Sequence, residues 1–231
     1  MNIHILTLFP KMFETILNES IVLRAQKKGL VKIVIHNLRD WADDKHGTVD
    51  DKAFGGGAGM ILKVDVIDKA LKDIKNKIDR SNPLEKIRES HANNSKIILT
   101  DPRGKKFTQT KAKQLSKIDN IIIICGHYGG IDERVLDLVD ETISIGNFVL
   151  TGGEIPAMAM TDTVVRLIPG VINADSLLSE THSHKNYNQF AQYTRPEIYK
   201  PISKKIKKTL DVPKVLLSGN HKLIEEWRRN F

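Results

Sequence analysis

The run IIIIC at residues 121–125 constrains the fold more than any other stretch of the chain. Four consecutive isoleucines present no polar face to water, so a strand built from them is buried on both sides. That is the habit of a parallel sheet covered by helices, and an α/β fold follows. Further short, β-branched runs supply neighbouring strands: IHILTLF (3–9), VKIVIHNL (31–38), KIILT (96–100) and TISIG (142–146). Helical patterns lie between them, near 11–28, 64–79, 108–117, 131–139 and 153–168.

In open α/β sheets, ligands sit beyond the carboxyl ends of the strands. Three of those ends carry unusual loops: TDPRGKK after 96–100, CGHYGGIDER after 121–125 and GNFVLTGGE after 142–146. Their clustering marks the expected site. FGGGAGM (54–60) lacks the spacing of either nucleotide-binding glycine motif, yet follows TVDD and is expected to face a ligand. In GIDERV (130–135), Asp132 and Glu133 fall in a first helical turn, where carboxylates cap rather than catalyse. Pro156 near the start of the 153–168 helix costs no hydrogen bond, and the apolar residues of that helix, from Ile155 to Ile168, cover more than one face. Such a helix is expected to pack against its own sheet and against a second subunit.

A net charge of +8 over 231 residues favours an anionic partner, of which nucleic acid is the commonest. The lone cysteine, Cys125, ends an apolar strand and reads as a buried thiol; it forms neither a disulfide nor a thiolate metal site. No stretch has the length and apolarity of a membrane span, and the expected setting is the cytoplasm. ETHSH (180–184) offers one carboxylate and two histidines, but a loop base at Glu180 is a better use of it than a metal centre, and no metal ligand is assigned. Residues 72–96 read as a lysine-rich, solvated insertion. Past residue 170 the chain turns polar and aperiodic before a small basic module with SKKIKK and the amphipathic NHKLIEEWRRNF.

Taken in order, TVDDKAFGGGAGM, CGHYGGIDERV, SIGNFVLTGGEIPA, RLIPGV, QYTRPEIY and VLLSGNH resemble the bacterial tRNA (guanine-N1)-methyltransferases of the SPOUT superfamily. The resemblance covers most of the chain. It implies a deep trefoil-knotted, parallel-sheet domain that binds S-adenosylmethionine (1–168), a linker (169–185) and a small helical domain that grips tRNA (186–231). It also implies an obligate homodimer. Physics alone would not supply the knot, because knots are almost absent among folds.

By the same resemblance, three loops wrap the cofactor. The first contributes Leu99, Thr100 and Pro102, and the second Gly126, Tyr128 and Gly129. The third contributes Ser144, Ile145, Gly146, Phe148, Leu150, Gly152 and Gly153. Arg166 matches the arginine beside the reacting base, Asp50 a contact to the substrate RNA, and Mg²⁺ is implied as an accessory ion. Glu180 is the expected general base, although counting forward from IPGV sets Thr181 on the family's acidic position, and threonine is no base at neutral pH. Gly129 stands where relatives commonly carry a glutamate. The implied activity is methylation of N1 of guanosine 37, next to the tRNA anticodon. The alternatives are an RNA-binding protein that has lost the chemistry and a methyltransferase acting on ribose 2′-OH.

Overall fold

The computed structural model describes residues 1–81, 94–183, 187–203, 205 and 208–229. Packing divides the chain into two compact units, Met1–Ala174 and Asp175–Phe231.

The first unit is built on a five-stranded sheet of β1 (Asn2–Thr7), β2 (Lys32–Asn37), β5 (Ser95–Lys106), β6 (Asn120–Cys125) and β7 (Glu141–Ser144), in the order β2-β1-β6-β5-β7. Every pairing in it is parallel. The isoleucine run is the middle strand, and its side chains alternate between two cores. Ile121, Ile123 and Cys125 join Ile3, Ile5, Ile98 and Ile143 on one face. Ile122 and Ile124 join Leu6, Ile97 and Leu99 on the other. Burial pushes the Cys125 thiol well above its usual pKa, so it is an inert part of this core.

The first face is covered by α1 (Glu14–Leu17), α2 (Ser20–Lys27), α4 (Gln109–Leu115) and α5 (Glu154–Val165). The expected 11–28 helix is thus broken in two. Asn18 turns its side chain back to the Glu14 carbonyl at 2.7 Å and Ser20 takes φ +50°, so local polar groups compete with the helical ladder. The second face is covered by α3 (Val64–Ser81), which buries Val66, Ile67, Ala70, Leu71, Ile74 and Ile78. Residues 72–81 therefore belong to a core helix rather than to a solvated insertion, because Ile74 and Ile78 extend the apolar stripe from Ala70 by two more four-residue steps. Of the rest of that stretch, 82–93 lies outside the described residues, and Ser95 and Lys96 already belong to β5. Helix α5 is already enclosed within its own chain, with Ala157, Met160, Thr161, Val164 and Val165 all buried; Ile155 alone among its large apolar residues is half exposed.

A short hairpin, β3 (Asp50–Lys52) and β4 (Met60–Leu62), precedes α3. The glycines of FGGGAGM form its turn: Gly55, Gly56, Gly57 and Gly59 all have φ between +81° and +122°, a region costly for residues with a Cβ.

On the sheet's β1–β2 side, His4 Nδ1 and His36 Nε2 lie 2.9 Å apart with their rings stacked. Burial, and then the neighbouring His36, lower the pKa of His4 to about 4; burial also lowers that of His36. The folded protein therefore holds His4 neutral where the unfolded chain would protonate it. The stability this gives is complete above about pH 6.5 and is lost as pH falls toward about 4. Chemical denaturation across that range should show falling stability, with a shallower slope in His4→Phe; equal slopes would contradict the assignment.

The second unit carries α6 (Ala174–Leu178) from its second residue onward, then the antiparallel pair β8 (Ile198–Tyr199) and β9 (Leu210–Asp211), then α7 (Lys214–Leu217) and α8 (His221–Arg229). The α8 helix fills most of NHKLIEEWRRNF, and Trp227 and Arg228 on it meet the rings of Tyr193 and Phe190. Within SKKIKK, residues 204, 206 and 207 lie outside the described residues.

Candidate active site

Because β6, β5 and β7 are adjacent and parallel, their three following loops emerge side by side. They enclose a cavity of about 470 Å³. Strand β5 is irregular here: Thr100 pairs with Ile143, and so does Lys105, so residues 101–104 loop out between them. Gly104 brings the strand back. A Cβ there would lie 2.6 Å from the backbone nitrogen of Ile143, closer than any side chain permits.

The loops are tied to one another through their backbones. The Gly153 N–H donates to the Gly126 carbonyl at 2.7 Å, and the buried Thr100 hydroxyl donates to the Ile124 carbonyl at 3.1 Å. A Cβ on Gly153 would lie 2.8 Å from both Cys125 Cα and Gly126 N and would collide with the Thr100 hydroxyl. Glycine is thus required because two backbones meet. On the β4 side, Gly129 N–H donates to the Met60 carbonyl at 2.8 Å and Leu62 N–H to the Gly130 carbonyl at 3.1 Å, which brings Ile61 into the cavity wall. A Cβ on Gly129 would stand 3.1 Å from the Met60 oxygen, so the close approach of the hairpin suits glycine here.

Thr100, Pro102, Gly126, Tyr128, Gly129, Ser144, Ile145, Gly146, Phe148, Leu150, Gly152 and Gly153 all line this cavity. Leu99 does not; its side chain is fully buried in the second core, one residue before the loop begins. Tyr128 adopts φ +58°, and its hydroxyl receives a 3.4 Å hydrogen bond from Arg39. Asp50 is outside the wall, on the β3 strand paired with β4. Arg166 caps the carboxyl end of α5 in the first unit. Glu180 and Thr181 belong to the second unit, in the turn after α6, where the Thr181 hydroxyl accepts the Gln189 N–H at 3.0 Å and the Glu180 carbonyl accepts the Ser183 N–H at 2.9 Å.

Sequence reasoning missed the charged part of the wall. Asp132 caps the short 3-10 helix Glu133–Leu138 by accepting the Arg134 N–H, as its position suggests. Glu133, however, faces the cavity together with Asp101 and Arg103. The Arg103 guanidinium beside Asp101 holds that carboxyl below the usual carboxylate range. Glu154, 2 % exposed at the start of α5, accepts the Thr7 hydroxyl at 2.8 Å and lies 3.7 Å from His127 Nδ1. Only the omission of a Cβ at Gly152 leaves room for that pair. Among the described residues no group of three or more His, Cys, Asp or Glu could hold a metal ion; His184 of ETHSH lies outside them. Nor is any described helix long and apolar enough to cross a membrane.

The family described as tRNA (Guanine-1)-methyltransferase TrmD matches residues 1–231. A tRNA (guanine-N(1)-)-methyltransferase of Clostridioides difficile is 45% identical over 99% of this chain and 91% of its own length. Those of Bacillus subtilis and Citrifermentans bemidjiense are 46% and 47% identical over 99% of this chain, and over 86% and 84% of theirs. A match of this extent, on a parallel-sheet fold whose glycine-lined strand ends open into one cavity, shows that the chain belongs to the tRNA (guanine-1)-methyltransferase TrmD family of the SPOUT superfamily.

Proposed function

We propose that this protein methylates N1 of guanosine 37 in tRNA, with S-adenosylmethionine held in the cavity at the ends of β5, β6 and β7. The observation that carries the reading is the cavity wall. It is lined by backbone and glycine at the points where a nucleoside must approach closely, and it has apolar sides from Ile61, Ile131, Ile145 and Phe148. Thr100, Gly126, Gly152 and Gly153 line the part of the wall that would hold the adenosine, where the lack of a Cβ at the three glycines lets it approach the backbone. When bound, S-adenosylmethionine supplies an electrophilic methyl group on a sulfonium, so no covalent enzyme intermediate is needed.

The protein must then manage one proton and one developing charge. Guanine N1 is protonated at neutral pH, and Glu180 accepts that proton as the ring nitrogen becomes nucleophilic. Negative charge moves to guanine O6, where the Arg166 guanidinium stabilises it. Asp50 contacts the substrate RNA. No step is assigned to Mg²⁺. The knot, the linker at 169–185 and a tRNA-gripping second domain complete the reading, which places the protein in the cytoplasm with its substrate. The active form is a homodimer; half-exposed Phe9, Met12, Ile16 and Ile155 in the first unit supply apolar surface for a second copy.

Nuclease digestion of tRNA incubated with the full chain and S-adenosylmethionine should release 1-methylguanosine. A 2′-O-methylated nucleoside would favour the ribose reaction instead, and no product would favour a degenerate RNA binder.

A further inference from the structure

The charged corner of the cavity has an order of its own. Asp101 is the fixed member: its side chain is 12% exposed, and it receives Arg103 Nε at 3.1 Å, Nη2 at 3.0 Å and the Arg103 main-chain N–H at 2.7 Å. Glu133 is the loose member. It is 65% exposed and meets Arg103, itself 62% exposed, through Nη1 and Nη2 at 3.2 Å each. Exposed ion pairs of this kind contribute about 0–1 kcal/mol, so this contact is readily exchanged. Arg103 Nη1 donates to Glu133 alone, whereas Nε is held by Asp101. A second carboxylate can therefore replace Glu133 on Nη1 without disturbing the grip of Asp101.

We infer that the Arg103–Glu133 pair opens to receive an α-amino acid group, with Arg103 taking its carboxylate and Glu133 its ammonium. The pair in the free protein has the complementary charges of that zwitterion, and all three side chains line the same cavity. A guanidinium presents its N–H groups as a planar fork suited to a carboxylate, and Asp101 aims that fork in advance. Each partner exchanges one oppositely charged group for another. It makes Arg103 and Glu133 specificity-determining residues for the methionine end of the cofactor, and it rests on the assignment of the cavity to S-adenosylmethionine.

Calorimetry on the full chain tests this with two probes, S-adenosylhomocysteine, which keeps the amino acid group, and methylthioadenosine, which lacks it. Loss of a charge-assisted hydrogen bond predicts that Arg103→Met weakens S-adenosylhomocysteine by about tenfold or more and leaves methylthioadenosine within about twofold. Glu133→Gln should act in the same direction with a smaller effect. Both residues are exposed, so circular dichroism should match the parent, and the second variant decides the matter if the first fails to fold. Equal weakening of both probes, or no weakening of either, would overturn the pair's role while leaving the cavity assignment intact. If the parent protein binds neither nucleoside, the cavity assignment itself fails.

Discussion

Gly153→Ala is expected to abolish cofactor binding measurable by calorimetry and to lower the melting temperature. The added Cβ would sit 2.8 Å from Cys125 Cα and Gly126 N and against the Thr100 hydroxyl. The obstructing atoms are backbone and a buried side chain, so relief requires the strand ends of β5, β6 and β7 to part. That parting would break the 2.7 Å bond from Gly153 to Gly126 and the Thr100 bond to Ile124. Overpacking of this kind costs about 1–3 kcal/mol, and the displaced backbone belongs to the cavity wall. Gly146→Ala is the comparison within the same wall. The three atoms nearest its Cβ all belong to the ring of Phe148, which is 54% exposed and can swing aside, so the melting temperature should hold and affinity should fall by less. Similar losses in the two variants would contradict the view that Gly153 marks a required backbone approach.

The second large effect is expected at Glu180. Glu180→Gln keeps the size and hydrogen-bonding reach of the side chain but removes a base, and general-base losses are on the order of 10²–10⁴ in rate. Affinity for S-adenosylhomocysteine should stay within about twofold, because the substitution acts on the proton and not on the cavity. Thr181 has a different use: its hydroxyl accepts the Gln189 N–H and pins the turn in which Glu180 sits. Thr181→Val should therefore loosen that turn without removing the Glu180 carboxylate. Near-normal turnover in Glu180→Gln would remove Glu180 from the mechanism.

The central sheet was legible because its residues have little choice. Ile121 to Ile124 are apolar on both faces, and only a strand covered on both sides satisfies them. One element was not legible, and the burial of another was misread: the helix read near 64–79 is α3, but its second half was taken as solvated. The β3–β4 hairpin has three-residue strands, one of them the charged Asp50–Lys52, and a turn of glycines whose positive φ values leave no periodicity to read. Residues 72–81 carry enough charge to look solvated, although Ile74 and Ile78 continue the buried stripe of α3.

The three loops of the cavity wall were legible because unusual, glycine-bearing loops cluster at neighbouring strand ends, while the individual wall residues came from the family resemblance. The charged corner of the wall was not legible. The Arg103–Glu133 pair spans 30 positions, and no local pattern foretells that the irregular end of β5 turns Arg103 toward the helix that Glu133 begins. Leu99 stands just short of the loop: its neighbour Thr100 is in the wall, whereas strand alternation sends the Leu99 side chain into the core.

The most direct measurement of the central claim is transfer of labelled methyl from S-adenosylmethionine to two unmodified tRNA transcripts, one with guanosine and one with adenosine at position 37. Label in the guanosine transcript alone is the predicted result. Equal label in both, or none in either with the protein folded and Mg²⁺ present, would contradict methylation of guanosine 37.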